Sequence, residues 1–316
     1  MTVRRSSRQR GAALLTALII VTIVVTLAAS MIWQQWRAVQ VEAAERARVQ
    51  SAWILNGALD WARLILREDA RSGRPTALTE PWATPLAEAR LSTFLAVDTS
   101  NAEDAPDAFL SGVITDAQAR YNLASLLDPG GKLVPAELEA LERLCQTVGV
   151  ASDVAARIAA GLRDAQAVGG EGNSSAPLRP RKLEQLTWLG IDASTIALLE
   201  PYVTLLPVRT PVNANTASRE VLSAVVKGMD LATAERLVQL RQRDPFKTLG
   251  AVAAQVPALG PLNPQQLAVV SSFFEVRGRL RLEDHVLEQR SLVERRGLDM
   301  LVVQREQVST LEALRP

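Results

Sequence analysis

The sequence predicts an α+β protein. A long N-terminal helix, embedded in a membrane at its start, packs on a small antiparallel sheet, and a large all-helical domain is inserted in that sheet. Three observations predict this arrangement. An uncharged N-terminal segment continues into an amphipathic helical pattern, strict alternation of apolar and charged residues occurs near the C-terminus, and short helical segments lie between them.

The first element is an apolar helix long enough to cross a bilayer. No charged side chain occurs from Gly11 to Trp36, and arginines are concentrated in the ten residues before this segment. About 20 apolar helical residues span the hydrocarbon core, and flanking basic residues stay on the cytoplasmic side. We therefore expect residues 12–36 to span the membrane, with the N-terminus in the cytoplasm.

The junction before this helix indicates how the chain is processed. A cleavable secretory signal carries small residues after its apolar core, whereas here Gly11 and Ala12 precede it. A basic leader, a glycine and an apolar helix resemble the class III signal of type IV pilins and type II secretion pseudopilins. The resemblance implies that a prepilin peptidase removes residues 1–11 by cutting between Gly11 and Ala12. An ordinary signal anchor that happens to contain a glycine is the alternative.

The helix continues beyond the membrane as an amphipathic element. Two neighbouring rows of apolar residues recur at spacings of three and four: Ile54, Ala58, Trp61 and Ile65, and beside them Leu55, Leu59, Ala62 and Leu66. Gly73 and Pro75 then predict the end of the helix. A helix of this kind is the spine of a pilin-like subunit, so residues 37–116 are expected to hold this helix and the first strands of a pilin-like domain.

The last segment, residues 272–316, is predicted to complete the sheet. Apolar and charged residues alternate strictly from Phe274 to Glu283, which is typical of a half-buried antiparallel strand. Strands over Val286–Glu294 and Met300–Glu306 follow, separated by a turn at Arg295–Arg296–Gly297.

The middle of the chain, residues 117–271, is predicted to be helical. Gly, Pro and Asp separate the predicted helices, and Asp192 and Ser218 are suitable N-caps. A flexible loop is expected at 169–175. Two similar phrases, Asp116–Leu123 and Pro211–Ser218, are interpreted as structural corners because Asn and Thr side chains satisfy free backbone groups. The helices are predicted at Pro135–Val148, Ser152–Ala167, Leu183–Gly190 and Ala193–Leu199.

Composition argues against catalysis and against a broad nucleic-acid surface. The 35 Lys and Arg residues balance 34 Asp and Glu residues, whereas such a surface needs a basic excess. The single cysteine, Cys145, lies in an apolar helical pattern and is expected to be a buried structural thiol. No metal-site, triad or phosphate-loop motif accompanies His285, the only histidine. We therefore expect that the protein is not an enzyme.

The order of motifs resembles the K-type minor pseudopilin family of type II secretion. The resemblance is carried by Trp53 and Trp61, then Asp116–Leu123, Arg181–Leu183, Trp188–Ile191 and Val212–Ala217. It covers nearly the whole chain. It implies an inserted helical domain built of units similar to SAM or helix-hairpin-helix folds.

The resemblance also implies a function, a location and partners. The protein would be a non-enzymatic subunit at the tip of the periplasmic pseudopilus. It would initiate assembly with the I and J classes of minor pseudopilin as a heterotrimer, and so drive export of folded proteins. It would cross the lipid bilayer of the bacterial inner membrane once, and most of the protein would lie in the periplasm. Further partners would be the major pseudopilin, the prepilin peptidase and the inner-membrane assembly platform.

Two site expectations come from the same resemblance. Most pilins carry a glutamate as the fifth mature residue, where this chain has Thr16. K-type subunits lack that carboxylate, which is taken to mark the tip, although Thr16 would also serve as a neutral filler that bonds to its own helix. The family tends to bind calcium in an acidic loop, which here retains Asp164 and Glu171, two of the six to eight oxygen ligands that calcium prefers.

Two other functions stay open at this point. One is a minor pilin of a type IV pilus. The other is a membrane-anchored DNA receptor, because Val212–Ala217 and Val226–Asp230 resemble a helix-hairpin-helix unit. Such hairpins expose glycine-rich turns to phosphate, whereas this one has only Gly228 and places Asp230 nearby, which would repel a phosphate. We therefore expect no nucleic-acid partner.

Overall fold

The computed structural model describes residues 8–91, 108–166, 178–282 and 285–311. The first seven leader residues and the predicted loop at 169–175 lie outside the described residues. The chain forms two compact units, Met1–Asn56 and Gly57–Pro316, which divide within the N-terminal helix.

The N-terminal helix, α1, runs over Arg8–Arg71 and ends where the sequence predicts. The residue that follows its last turn, Gly73, has φ +63°, a left-handed conformation that suits glycine after a helix. Within the second unit, Leu59 and Leu66 are buried. Trp61 is 52% exposed, so the buried face is narrower than the predicted broad one.

Nine strands, short and long, lie in the described parts of the chain, and the last four follow one another without a helix between them. The strands are β1 (Leu86–Arg90), β2 (Ala108–Asp116), β3 (Tyr121–Asn122), β4 (Val203–Thr204), β5 (Val212–Asn213), β6 (Leu267–Ala268), β7 (Phe273–Leu282), β8 (His285–Arg296) and β9 (Asp299–Leu311). The main sheet has the order β1-β2-β7-β8-β9, and its neighbouring strands are antiparallel. The pairs β3–β4 and β5–β6 are short and parallel.

The C-terminal strands confirm the alternation seen in the sequence, but the turn is shorter than predicted. Strand β8 continues through Arg296, and the chain reverses at Gly297 with φ +61°. Arg295 is therefore a strand residue, and its side chain is only 12% exposed. The sequence pattern around Gly297 could not show this, because two adjacent arginines normally indicate a solvated turn.

Helices fill the segment between β2 and β7, which are hydrogen-bonded neighbours in the sheet. The segment Leu183–Gly190, predicted as a helix, is a 3-10 helix over Leu183–Leu189 that ends at left-handed Gly190. Asp192 and Ser218 cap the helices that follow them, as predicted. The α-helices are α2 (Pro135–Thr147), α3 (Asp153–Gln166), α4 (Ala193–Leu199), α5 (Arg219–Val225), α6 (Leu231–Arg243) and α7 (Leu249–Gln255).

The two larger groups of buried apolar side chains among the described residues of the second unit lie under α1 and within the helical part. Under α1, Leu59 and Leu66 pack with Phe274 and Val293 of the sheet and with Trp82. α1 is also fixed to the β8–β9 end by hydrogen bonds from two arginine side chains to backbone carbonyl oxygens. The helical part has its own core, with fully buried members such as Leu141, Leu144, Cys145, Ile158 and Leu186. The two arginine bonds are Arg63 Nε to Met300 O (2.8 Å) and Arg67 Nε to Leu298 O (3.0 Å).

Close packing of α3 on the 3-10 helix predicts that Gly161 tolerates no side chain. A Cβ at Gly161 would lie 2.9 Å from Leu189 Cβ, so we expect Gly161→Ala to lower the free energy of unfolding by about 1–3 kcal/mol. The matched control is Gly57→Ala on α1, where a Cβ would meet nothing within 4 Å. This change should raise stability by roughly 0.5–1 kcal/mol, because alanine favours a helix over glycine. Thermal unfolding followed by circular dichroism measures both, and a neutral Gly161→Ala would contradict the packing.

Candidate functional site

In the apolar first part of α1, threonine hydroxyls donate hydrogen bonds to carbonyl oxygens of the same helix. Thr16 Oγ1 donates to Ala12 O (2.9 Å) and Ala13 O (3.0 Å), and Thr22 Oγ1 donates to Leu18 O in the same way (3.0 Å). Hydroxyls satisfied within one helix suit a bilayer core, where water is not available as a partner. The predicted tip-defining position is thus occupied by a neutral, internally bonded side chain.

The predicted processing site lies inside the first turns of α1. Gly11 and Ala12 both belong to Arg8–Arg71. By length and composition the helix that begins there could cross a membrane, and large apolar side chains such as Leu14 and Ile20 are more than half exposed. An exposed apolar cylinder of this kind is typical of a segment meant for lipid or for neighbouring helices.

The two similar phrases of the sequence meet at a buried polar junction, formed by Asp116, Asn213, Thr216 and Ser271. The Asp116 Oδ2 atom accepts bonds from Asn213 Nδ2 (2.9 Å), Thr216 Oγ1 (2.6 Å) and Ser271 Oγ (2.6 Å). Its Oδ1 atom accepts from the Gln118 amide (2.8 Å). Burial raises the pKa of Asp116, while these four donors oppose that rise.

The polar junction lies where the chain leaves the sheet and returns to it. Asp116 is the last residue of β2, and Ser271 lies two residues before β7. Asn213 also donates to Ser271 Oγ (2.9 Å) and to Thr76 O (3.1 Å). Asn213, in β5, thus links the segment after α1 to the end of β2 and to the residues just before β7.

Arg295 extends the polar junction toward the end of α1. Its guanidinium contacts Asp69 Oδ2 (2.9 Å) and donates to Thr76 Oγ1 (2.7 Å) and Ser271 O (2.6 Å). The Asp69 side chain is only 3% exposed. Removing one member of a buried ion pair typically costs several kcal/mol because the other charge stays unpaired. Sequence reasoning missed Arg295, Thr76 and Ser271, and no spacing or motif marks them.

Asn122 and Gln118, in the first of the two similar phrases, hydrogen-bond to the segment that follows β4. Asn122 Oδ1 accepts from the amides of Ala124 (3.0 Å) and Leu206 (3.1 Å), and its Nδ2 donates to Val208 O (2.8 Å). Gln118 Nε2 donates to Pro211 O (2.9 Å). These bonds satisfy backbone groups of irregular segments, which supports the interpretation of both phrases as structural corners.

Of the predicted calcium ligands, the structure describes only Asp164. Asp164 is 56% exposed and contacts the neighbouring Arg163 (3.3 Å), whereas Glu171 lies outside the described residues. Across the described ranges there is no group of three or more His, Cys, Asp or Glu side chains that would hold a metal ion. Cys145 is buried, as predicted, and burial raises the pKa of its thiol to about 11. The side chain of His285 lies outside the described residues.

The hairpin between α5 and α6 contains a left-handed glycine and ends at the N-cap residue of α6. Gly228 has φ +84°, and Asp230 Oδ1 accepts from the Thr233 amide at 2.7 Å. Hydrogen bonds from the Thr233 amide and side chain lower the pKa of Asp230. The carboxylate therefore occupies the helix N-terminus that a phosphate would need.

Comparison with known proteins decides the family. Residues 119–208 and 212–271 match sequence models for two parts of type II secretion system (T2SS) protein K. The chain is 31% identical to the type II secretion system protein K of Pectobacterium carotovorum subsp. carotovorum, over 95% of this chain and 97% of that protein. The chain belongs to the type II secretion system protein K family. Its members are pseudopilins of protein secretion.

Other relatives and a solved structure agree with this membership. The protein of the same name from Klebsiella pneumoniae is 30% identical over 94% of this chain and 96% of its own. A chain of the GspK–GspI–GspJ complex from the type 2 secretion system of enterotoxigenic Escherichia coli superposes with a TM-score of 0.65. That match is 20% identical and covers 84% of this chain and 99% of the solved chain. It therefore shows the shared fold. The family and the α+β fold predicted from the sequence are confirmed.

Proposed function

We propose that this protein is a non-enzymatic minor pseudopilin that sits at the tip of the periplasmic pseudopilus and initiates its assembly. The main support for this proposal is the similarity to protein K of Pectobacterium carotovorum, which covers 95% of this chain. The solved relative is in complex with GspI and GspJ. We infer that the equivalent I and J subunits are partners here, together with the major pseudopilin, the prepilin peptidase and the assembly platform.

The same proposal includes location and domain organisation. Residues 12–36 would anchor the protein in the inner membrane, with the N-terminus cytoplasmic and the bulk periplasmic. Residues 117–271 would form an inserted domain similar to SAM or helix-hairpin-helix units, and 37–116 and 272–316 would form the pilin-like domain. The adjacency of β2 and β7 supports this division, because the helices lie between two strands that pair directly.

Co-purification is the test of the proposed function. The full-length protein, extracted in a non-ionic detergent from cells that express the I, J and major pseudopilins, should retain the I and J subunits. Recovery with subunits of a type IV pilus would instead support the minor-pilin alternative. A protein that retains none of them would contradict the proposal.

The tip role predicts that a carboxylate at position 16 brings no benefit. A tip subunit has no neighbour above it, so Thr16→Glu should still assemble at the tip without improving secretion. The new charge lies near the cytoplasmic end of the helix and should cost less than the roughly 2–3 kcal/mol of a charge at mid-membrane. The matched control is Thr22→Glu, which changes an equally bonded hydroxyl deeper in the helix and should reduce membrane incorporation.

Crosslinking between membrane helices, combined with a secretion assay, measures both outcomes of this experiment. If a second copy or a major pseudopilin is found on the tip side of Ala12, this subunit is not the cap. A secretion gain in Thr16→Glu would also contradict the tip role.

Calcium binding is proposed at Asp164 and Glu171. The Asp164 carboxylate is exposed and contacts only Arg163 among the residues that the structure describes, so it is available as a ligand. Calcium should raise Tm, because an ion that binds the native state at 100 times Kd stabilises it by about 2.7 kcal/mol. Asp164→Asn with Glu171→Gln should remove the shift. The control is Asp153→Asn, on the same helix and paired with Arg157 (3.1 Å). No shift in the unmodified protein would show that this member binds no calcium.

A further inference from the structure

A groove lies between the helical segment and β9. Its volume is about 940 Å³, which is within the range of pockets that bind ligands. One wall is formed by Arg179–Lys182 and by Leu205–Arg209, and the other by Val303 and Arg305 of β9. β9 is the last strand in the order of the main sheet.

The groove concentrates positive charge in a chain whose total charge is nearly balanced. Its lining holds one acid, Asp128, and the Asp128 carboxylate already accepts from the Lys132 amide (2.8 Å). The basic side chains of the lining are Arg179, Arg181, Lys182, Arg209 and Arg305.

Most of this positive charge is not neutralised by neighbouring acids. Lys182 pairs with Glu306 at 2.7 Å. Burial raises the pKa of Glu137, and Arg209 is close enough to that carboxyl to oppose the rise. In the described parts of the chain, the side chains of Arg179, Arg181 and Arg305 form no ion pair. Among the described residues, the groove therefore offers three cations without an ion-pair partner to a negatively charged ligand.

The bottom and rim of the groove are apolar. Leu123, Leu127 and Leu206 are buried beneath it, whereas Val208 is 52% exposed and Val303 is 41% exposed. Exposed valines beside cations fit a ligand that carries apolar as well as acidic groups. A nucleic acid would instead use stacking surfaces, and none of the residues that line the groove is aromatic.

Val303 lies in a β-bulge of β9, and its side chain is exposed. In the β8–β9 pairing, Leu292 faces Gln304 and Val293 faces Val302, so Val303 has no partner on β8. A bulge of this kind turns the local strand edge and re-aims a side chain. Here it places an exposed apolar side chain beside Arg305 at the edge of the groove.

We propose that this groove is a docking site for an extended acidic segment of a partner protein, in which acidic residues alternate with apolar ones. The acidic side chains contact Arg179, Arg181 and Arg305, and the apolar ones contact Val208 and Val303. This inference goes beyond the proposed function and does not depend on tip assembly, because the test uses the protein alone.

The experiment measures binding of a short fluorescein-labelled peptide of alternating glutamate and leucine to the full-length protein in non-ionic detergent. Fluorescence anisotropy should show saturable binding that weakens as salt is added. The same peptide with glutamine in place of glutamate should bind much more weakly. The triple variant Arg179→Gln, Arg181→Gln, Arg305→Gln should weaken binding about ten-fold, as expected for the loss of three exposed ion pairs.

The matched control removes three positive charges outside the groove. Arg243→Gln, Lys247→Gln and Lys227→Gln change exposed cations outside the groove and should leave the affinity unchanged. The paired variant Val208→Ser, Val303→Ser tests the apolar contacts and should also weaken binding of the glutamate–leucine peptide.

Several outcomes would overturn the proposal. These are no binding of the peptide, equal loss in the two triple variants, or equal affinity for the glutamine peptide. Duplex DNA that binds in place of the peptide, and is lost in the groove triple variant, would assign the groove to a nucleic acid instead.

Discussion

We expect Gly11→Leu to leave the leader attached to the protein. The predicted peptidase acts at a small residue between the basic leader and the apolar helix, and a branched side chain at Gly11 blocks that position. The site lies within α1, where glycine weakens the helix by about 1 kcal/mol relative to alanine. Intact-mass analysis of the membrane-extracted protein should show an increase equal to the first eleven residues.

The matched control for this experiment is Ala17→Leu, which adds a leucine to the same apolar helix outside the junction. It should mature normally, with Ala12 as the new N-terminus. If Gly11→Leu is also cut between positions 11 and 12, the prepilin-type signal is wrong and an ordinary signal anchor is the better description. Because processing precedes assembly, Gly11→Leu should also abolish secretion.

The second large effect is expected at the polar junction, where Asp116→Asn should lower the free energy of unfolding by about 2–4 kcal/mol. An asparagine replaces one carboxylate oxygen with an NH2 group. Both oxygens of Asp116 now accept from an N–H donor, the Gln118 amide on one side and Asn213 Nδ2 on the other. In either orientation the new NH2 group therefore faces another donor, and a buried hydrogen bond is lost.

The measurement is thermal unfolding of the full-length protein, where this loss should appear as a fall in Tm of about 5–10 °C. Asp230→Asn is the matched control. Asp230 caps α6 from an exposed position, and asparagine is an equally good N-cap, so its Tm should stay almost unchanged. Equal Tm values for Asp116→Asn and the unmodified protein would show that the polar junction does not stabilise the fold.

Local periodicity predicted the elements whose side chains alternate or recur within one segment. The end of α1 near Gly73, the alternation of β7 and the helix at Pro135 were all visible because each pattern is contained in a few turns or a single strand. The sequence did not place the bounds of β1 and β2. Strand β2 depends on pairing with β7, which lies more than one hundred and fifty residues later along the chain. Strand β1 depends in turn on pairing with β2.

Long-range contacts also explain what was missed at the polar junction. The phrases that contain Asp116 and Asn213 were interpreted correctly as corners, but nothing local shows that these two side chains bond to each other. Arg295 was predicted in a turn because two adjacent arginines favour solvent. The fold instead buries one of them, because Asp69 and Ser271 lie within reach to pair with it.

By itself the sequence identified the family and predicted the membrane anchor and the processing junction, because these depend on contiguous residues. A bilayer selects a run of apolar residues, and a peptidase contacts an extended stretch of backbone. Only the tertiary structure decided the polar junction and the cationic groove. Arg179 and Arg305 are far apart along the chain, and they line one groove only because the fold places the segment around Arg179 beside the last strand of the sheet.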